Sequence, residues 1–329
     1  MLDDRKAAIL SAVVQEYIQT AQPVGSGRIA DAPGVAVSSA TVRNEMSALE
    51  EQGYLAQPHT SAGRIPTDKG YRFFVDHLRS MEPALVASDR GRVKDFFAAA
   101  SGELESTLAR TSDLLTSLTD CTAVVVGPSA TAATIRSTQL VDLSTHIAMV
   151  VAVMSNGVIE KRTVEVATEL TADIVADASR RLAAAVDGKT LGELEGEALG
   201  ADDPLLSAAL AALSAAGREA EVYVGGASRV ASAFEAVEQV RDILTILEQQ
   251  IVVVTLISDV LGRGMRVAIG EETGVEPLAE CSLVVAPYEV EGQVAGTIGV
   301  LGPTRMNYTQ ALAAVAVVSR RLGNVLTEG

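Results

Sequence analysis

Only two cysteines, Cys121 and Cys281, occur in 329 residues. They lie far apart and outside any metal-ligand spacing, which excludes a disulfide framework or a zinc module and fits two packed thiols in a reducing compartment. Histidine is nearly as scarce, with His59, His77 and His146 isolated from one another. No Walker A loop, G-x-G-x-x-G, G-x-S-x-G or S-x-x-K is present, and no His/Cys/carboxylate cluster has metal spacing. Catalysis therefore has no candidate residues, and neither a cofactor nor a metal is expected. Long apolar runs are also missing. The longest, Ile147 to Met154, falls far short of the roughly 20 residues that span a bilayer. The opening Met1-Leu2-Asp3-Asp4-Arg5-Lys6 is charged and no apolar stretch follows it, so a secretory signal is not expected. The expectation is a soluble, cytoplasmic protein with no membrane partner.

Basic residues are in deficit: 26 Lys and Arg stand against 42 Asp and Glu, a net charge of −16. Such a balance argues against a polyanionic partner for the chain as a whole. Its distribution is uneven, however. Residues 1–80 hold eight Lys/Arg and nine Asp/Glu, a balance of −1, which leaves −15 to the other 249 residues. An acidic body behind a near-neutral head would keep random DNA off the body and leave contacts to the head. With 48% hydrophobic residues the chain has material for real cores, and its length implies two or three domains.

In the head, Ile9, Val13, Val14, Tyr17 and Ile18 follow helical spacing until Pro23. Ser26 caps a short second helix that ends near Asp31-Ala32-Pro33-Gly34. A third helix opens at Ser38-Ser39, with Val42, Met46 and Leu49 on one stripe. Ser38, Ser39, Thr41, Arg43 and Asn44 fall off that stripe at the N-terminal end, where a recognition helix meets the major groove. There Arg suits guanine, Asn suits adenine, and hydroxyls suit phosphate oxygens. Taken alone, this face reads more readily as a solvated helix surface behind an ordinary serine cap. The next segment favours DNA. Gly53-Tyr54-Leu55-Ala56-Gln57 reads as a strand and Arg64-Ile65 as its return, around a tip of Pro58-His59-Thr60-Ser61-Ala62-Gly63. That is a winged helix-turn-helix, with His59, Thr60, Ser61 and Arg64 placed to reach the backbone or minor groove. Arg64 is expected to act on phosphate. A fourth helix begins after Thr67.

Pro23-Val24-Gly25-Ser26, Ser38 to Met46, Gly53-Tyr54-Leu55 and the long stretch Pro58 to Arg72 resemble the heat-inducible transcription repressor family. The resemblance implies an α+β multidomain chain: a winged helix-turn-helix at 1–80, a GAF-like domain at 90–164 and 222–329, and an inserted helical dimerisation domain at 165–221. It further implies a homodimer on double-stranded inverted-repeat DNA before chaperonin and DnaK-type chaperone operons, release on heat stress, and modulation by a GroE-type chaperonin.

The body's own pattern agrees in outline. One helix is expected over Arg92–Leu118, then β-branched segments at Thr122–Val126, Ser137–Leu143, Ile147–Met154 and Val158–Val166, with Asn156-Gly157 as a hairpin signal. Helices are expected over 171–216 and 234–250, strands at Glu221–Val224, Ile251–Ile257, Met265–Gly270, Ser282–Tyr288 and Gly292–Leu301, and a last helix over Thr309–Leu326. Two rival readings share the sequence. One is a metabolite-responsive regulator with an effector in the GAF-like domain. The other is a signalling protein or enzyme whose winged domain binds protein.

Overall fold

A computed structural model of the chain describes residues 2–59, 62–80, 83–99, 104–128, 133–155, 157–194, 203–215, 221–234, 236–264 and 266–328. Helix α1 (Asp4–Thr20) starts where the Asp3 carboxylate accepts the Lys6 amide, and it buries Ile9, Leu10, Val13 and Val14. Helices α2 (Ser26–Ala30) and α3 (Ser39–Glu51) come next, and α3 buries the expected stripe of Val42, Met46 and Leu49. The end of α3 is fixed by Gly53 at φ 76°, with the Gly53 amide on the Glu50 carbonyl and the Tyr54 amide on the Leu49 carbonyl, both at 2.9 Å. This six-to-one closure needs a left-handed residue, which glycine supplies without steric cost. It turns the chain into β1 (Leu55–Ala56), antiparallel to β2 (Ile65–Pro66). Val24 pairs with Arg64 through two backbone hydrogen bonds of 2.8 and 2.9 Å, so the wing is tied to the α1–α2 connection. Helix α4 (Asp68–Ser80) buries Tyr71, Phe74, Val75 and Leu78.

Behind the head come α5 (Ala87–Ala98) and α6 (Leu104–Thr119), two helices where one was expected. Helix α6 starts past Ser101-Gly102, the pair in that interval that favours helix least. Strands β3 (Thr122–Val126), β7 (Val222–Gly225), β8 (Val267–Ile269), β9 (Cys281–Val290) and β10 (Gln293–Pro303) form one antiparallel sheet in the order β7-β3-β10-β9-β8. Both of its faces are covered. One face, with Val125, Val284, Tyr288, Ile298 and Val300, shares a continuous core with α6, with α12 (Tyr308–Glu328) and with the buried residues of the head. The other face, with Val124, Leu283, Val285 and Leu301, packs under α9 (Ser228–Ala233), α10 (Val237–Glu248) and α11 (Gln250–Gly262). Burial on two faces accounts for strands that read as near-continuous apolar runs without alternation.

One expectation changes here. The β-branched run Ile251–Ile257 lies inside helix α11, because Val253, Leu256, Ile257 and Val260 fall on one helical stripe and packing outweighs strand propensity. Strands β4 (Ile135–Ser144), β5 (Ile147–Met154) and β6 (Ile159–Glu165) form a separate antiparallel sheet, order β4-β5-β6. Of the expected hairpin pair, Asn156 lies outside the described residues, while Gly157 has φ 84°. The inner face of this sheet, Leu140, Ala148, Val150, Ala152 and Met154, packs with α7 (Ala172–Val186) and α8 (Pro204–Ser214) in a core of its own. These three strands, which the sequence places before residue 165, turn their apolar side to α7 and α8 and not to the larger sheet. Among the described residues no single helix is long and apolar enough to cross a membrane; α10 and α11 reach that length only as a pair bent by 89°.

Candidate nucleic-acid interface

The N-terminal end of α3 divides its labour by residue. Ser38 Oγ accepts the Thr41 amide at 3.2 Å and lies 3.0 Å from Thr41 Oγ1, so these two hydroxyls build the helix cap. Ser39 Oγ lies 3.2 Å from Ser26 Oγ and ties α3 to α2. Arg43 and Asn44 are exposed, and among the described residues neither side chain has a hydrogen-bond or ion-pair partner. Most cations of the head are otherwise engaged. Arg5 and Lys6 lie 3.9 and 3.4 Å from Glu45, Arg28 lies 2.6 Å from Glu16, and Lys69 donates to the Gln52 carbonyl at 2.8 Å. An uncompensated guanidinium beside a free amide, on the exposed side of the second turn of α3, is the arrangement that offers donors to base edges.

The wing is held at its base and closed at its tip. The Ala62 amide donates to the His59 carbonyl at 2.8 Å, and Gln57 Nε2 donates to the Ala62 carbonyl at 2.9 Å. His59 is exposed there; Thr60 and Ser61 lie outside the described residues. Arg64 is engaged within the head. Its side chain is 17% exposed, and it donates to Glu50 Oε2 from Nε at 3.2 Å and from Nη2 at 2.9 Å, with Ser47 Oγ at 3.3 Å. The neighbouring carboxylate compensates its charge, and the side chain pins the wing to α3. Arg64→Ala is expected to cost about 1–2 kcal/mol of stability, discounted for partial exposure, and Glu50→Gln much of the same. Denaturant titration checks this. Unchanged stability in both variants would return Arg64 to a direct role on DNA.

Most of the stretch Pro66 to Arg72 builds architecture. Thr67 Oγ1 accepts the Gly70 amide and donates to the Gly53 carbonyl at 2.7 Å. Lys69 Nζ sits 4.4 Å from the Tyr54 ring centroid, a cation–π contact. A Cβ on Gly70 would come within 2.3 Å of the Tyr54 carbonyl oxygen. Burial, with Glu271 and Glu272 nearby, pushes the Asp68 carboxyl above its ordinary value. Arg72 reaches across to the body, pairing with Glu272 and donating to the Val267 carbonyl at 2.8 Å. This junction was missed from the sequence. Its partners lie about two hundred residues apart, beyond any local signal.

Burial pushes the Cys121 thiol up to about 11 and Cys281 up to about 12, so both stay protonated and buried. Among the described residues no group of three or more His, Cys, Asp or Glu is placed to hold a metal ion. A void beside Cys121, Ile243, Cys281 and Leu301 measures about 10 Å³, room for one water at most. A larger cleft of about 580 Å³ lies between head and body, lined by Tyr17, Ile65, Tyr71, Phe234, Glu280 and Arg305 among others.

Comparison with known proteins places this geometry. Residues 105–312 match the family described as HrcA protein C terminal domain. Along its full length the chain is 38% identical to the heat-inducible transcription repressor HrcA of Acidothermus cellulolyticus, with 100% of both chains covered. The chain belongs to the heat-inducible transcription repressor HrcA family. The HrcA of Pelotomaculum thermopropionicum is also 38% identical, over 99% of this chain and 97% of its own. A crystal structure of a protein described only as hypothetical shares the fold, with a TM-score of 0.70, 24% identity, and 100% and 99% of the two chains covered. The family match from residue 105 covers the body, while the HrcA relatives extend the likeness through the winged head. These HrcA relatives are transcription repressors by name.

Proposed function

We propose that this HrcA-family chain represses chaperonin and DnaK-type chaperone operons in the cytoplasm, binding an inverted-repeat operator at the nucleoid as a homodimer and letting go on heat stress. The observation that carries the proposal is the Arg43-Asn44 pair, exposed in the second turn of α3 and without a partner among the described residues, beside a wing bonded to the same helix. Ser38, Ser39 and Thr41 set that turn, and the wing tip, with His59, Thr60 and Ser61, supplies the backbone contacts. Arg64 contributes by holding the wing. The acidic body keeps nonspecific DNA at a distance.

A twofold operator asks for a twofold protein. The outer face of the β4–β6 sheet supports that assembly. Ile147, Met149, Val151 and Val153 run down its central strand, half-buried, flanked by exposed Val141 and Ile159 opposite Met149 and Val153. A second copy of the same face would bury this row. Val151→Lys is therefore expected to convert the dimer to monomer at micromolar concentration, as read by sedimentation; a variant that stays dimeric would move the interface elsewhere.

A chaperonin of the GroE type is the proposed modulator, acting on a dimeric multidomain chain whose DNA affinity falls as it unfolds on warming. The effector-sensing alternative has one observation in its favour, the cleft between head and body. Its volume is of ligand size, and a thermal-shift screen that found a stabilising small molecule would support it. The repressor reading is tested by gel shift at physiological salt, with random-sequence and inverted-repeat chaperonin-promoter DNA, with and without chaperonin. Preference for the inverted repeat by more than about a thousandfold is expected, and uniform weak binding by folded protein would sink it.

A further inference from the structure

The head could have hung from the body on a linker, but it is docked. Its α4 carries Tyr71 to within 5.9 Å of the Tyr308 ring at the start of α12, inside one continuous core. Apolar contacts of this kind hold two bodies together without fixing their rotation, because burial is non-directional. Direction comes from Arg72. Its Nε donates to Glu272 Oε1 at 2.9 Å, its Nη2 meets Glu272 Oε2, and the same Nη2 donates to the Val267 carbonyl at 2.8 Å. Glu272 is itself oriented, since its Oε2 accepts the Ile269 amide at 2.9 Å. The planar guanidinium is thus bonded to a carboxylate and a carbonyl that are both fixed to β8 and to the turn Gly270–Thr273. A bidentate Arg–carboxylate pair defines a plane as well as a distance. One turn earlier on α4, Asp68 lies against Gly270, where a Cβ would fall 2.0 Å from Asp68 Oδ2, and it accepts the Glu271 amide at 3.4 Å. Gly270 at φ 56° is the residue that lets α4 approach so closely.

We propose that the Arg72–Glu272 junction is a specificity determinant of operator geometry: it sets the angle of each winged head on the dimer, and so the half-site spacing the protein accepts. Arg72 and Glu272 are positioning residues, remote from the bases. Each added base pair moves and turns the second half-site by about a tenth of a helical turn, so a rigid pair of heads tolerates one spacing and loosened heads tolerate several. The inference rests on the proposed operator-binding dimer, and its test has one arm that does not need DNA.

That arm is the distance between spin labels on cysteines replacing exposed Glu51 in the head and exposed Glu238 in the body, with labelled chains diluted in unlabelled ones. The parent chain is expected to give one narrow distribution, and Arg72→Ala and the milder Glu272→Gln broader ones, at melting temperatures that keep every sample folded. The second arm is affinity for inverted repeats with identical half-sites and central spacers changed one base pair at a time. The parent is expected to lose about tenfold or more for each step from its optimum, in line with the cost of deforming DNA to restore register. Both variants are expected to flatten that profile while keeping base preference within the half-site. Equally narrow distances in parent and variants, or an equally sharp spacing profile, would overturn the proposal. Broadened distances alongside a parent that ignores inverted repeats would show that the junction fixes the head's angle, but would sink the operator reading and, with it, the junction's part in half-site spacing.

Discussion

Replacing Arg43 with alanine is expected to weaken binding to the inverted repeat by about 1–3 kcal/mol and to relax base preference at one position of each half-site. The surroundings of the side chain give the reason. Arg43 is exposed in the second turn of α3 and, among the described residues, has no carboxylate beside it, whereas Arg28 and Arg64 are paired with Glu16 and Glu50. Its removal leaves the buried stripe of Val42, Met46 and Leu49 untouched, so the melting temperature should stay where it was. A randomised half-site competed against the natural one reads both effects together. Unchanged affinity with unchanged base preference would take sequence reading away from this helix and revive the idea that the winged domain binds protein.

Gly63→Ala should have the largest effect of any single methyl group in the head. A Cβ at Gly63 would lie 2.4 Å from the Val24 carbonyl oxygen, 2.5 Å from its carbon and 2.7 Å from the Val24 nitrogen. All three are backbone atoms of the bridge that ties the wing to the α1–α2 connection, so no side chain can swing aside. Relief requires the bridge to open and the wing to move off its base. A loss of about 1–3 kcal/mol or more is expected, as for overpacked interiors, with affinity falling for all DNA sequences alike. Gly27→Ala serves as the control. It lies in α2 with open space around the new methyl group, and helix propensity favours alanine there by at most about 1 kcal/mol. Denaturant titration of the two variants should move the midpoint in opposite directions. A Gly63→Ala protein as stable as its parent would mean that the wing is not held as described.

The head was legible because its signals are local. Pro23 announces a helix stop, Pro33-Gly34 a turn, and the Val42-Met46-Leu49 stripe a buried face, each decided by residues within a few positions. The stretch Pro58 to Arg72 marked the family on sequence alone, yet much of its content is architectural: Thr67, Lys69 and Gly70 fasten α4 to the end of α3, and Gly63 and Arg64 fasten the wing. The pairing of Arg64 with Glu50, fourteen positions away, leaves no trace in the sequence around a basic residue at a wing base. Helix α11 and the β4–β6 sheet were harder for another reason. Ile251-Val252-Val253-Val254 is strand-like by propensity, and only the sheet face waiting for Val253, Leu256, Ile257 and Val260 makes it a helix. Likewise β3 and β4 are neighbours in sequence with the same β-branched composition, and nothing in either says that they enter different sheets. Pairing across two hundred residues, as in Arg72 and Glu272, has no local signature at all.

The central claim is that two copies of α3 read the two halves of one operator. The most direct measurement is an equilibrium titration of the full chain, at physiological salt, against an inverted-repeat duplex and the same duplex with one half-site scrambled, with stoichiometry read in the same experiment. Two chains per duplex, and an affinity lower by about a hundredfold or more on the scrambled half-site, within the range that separates specific from nonspecific binding, is the predicted result. One chain per duplex with equal affinity for both DNAs would contradict it.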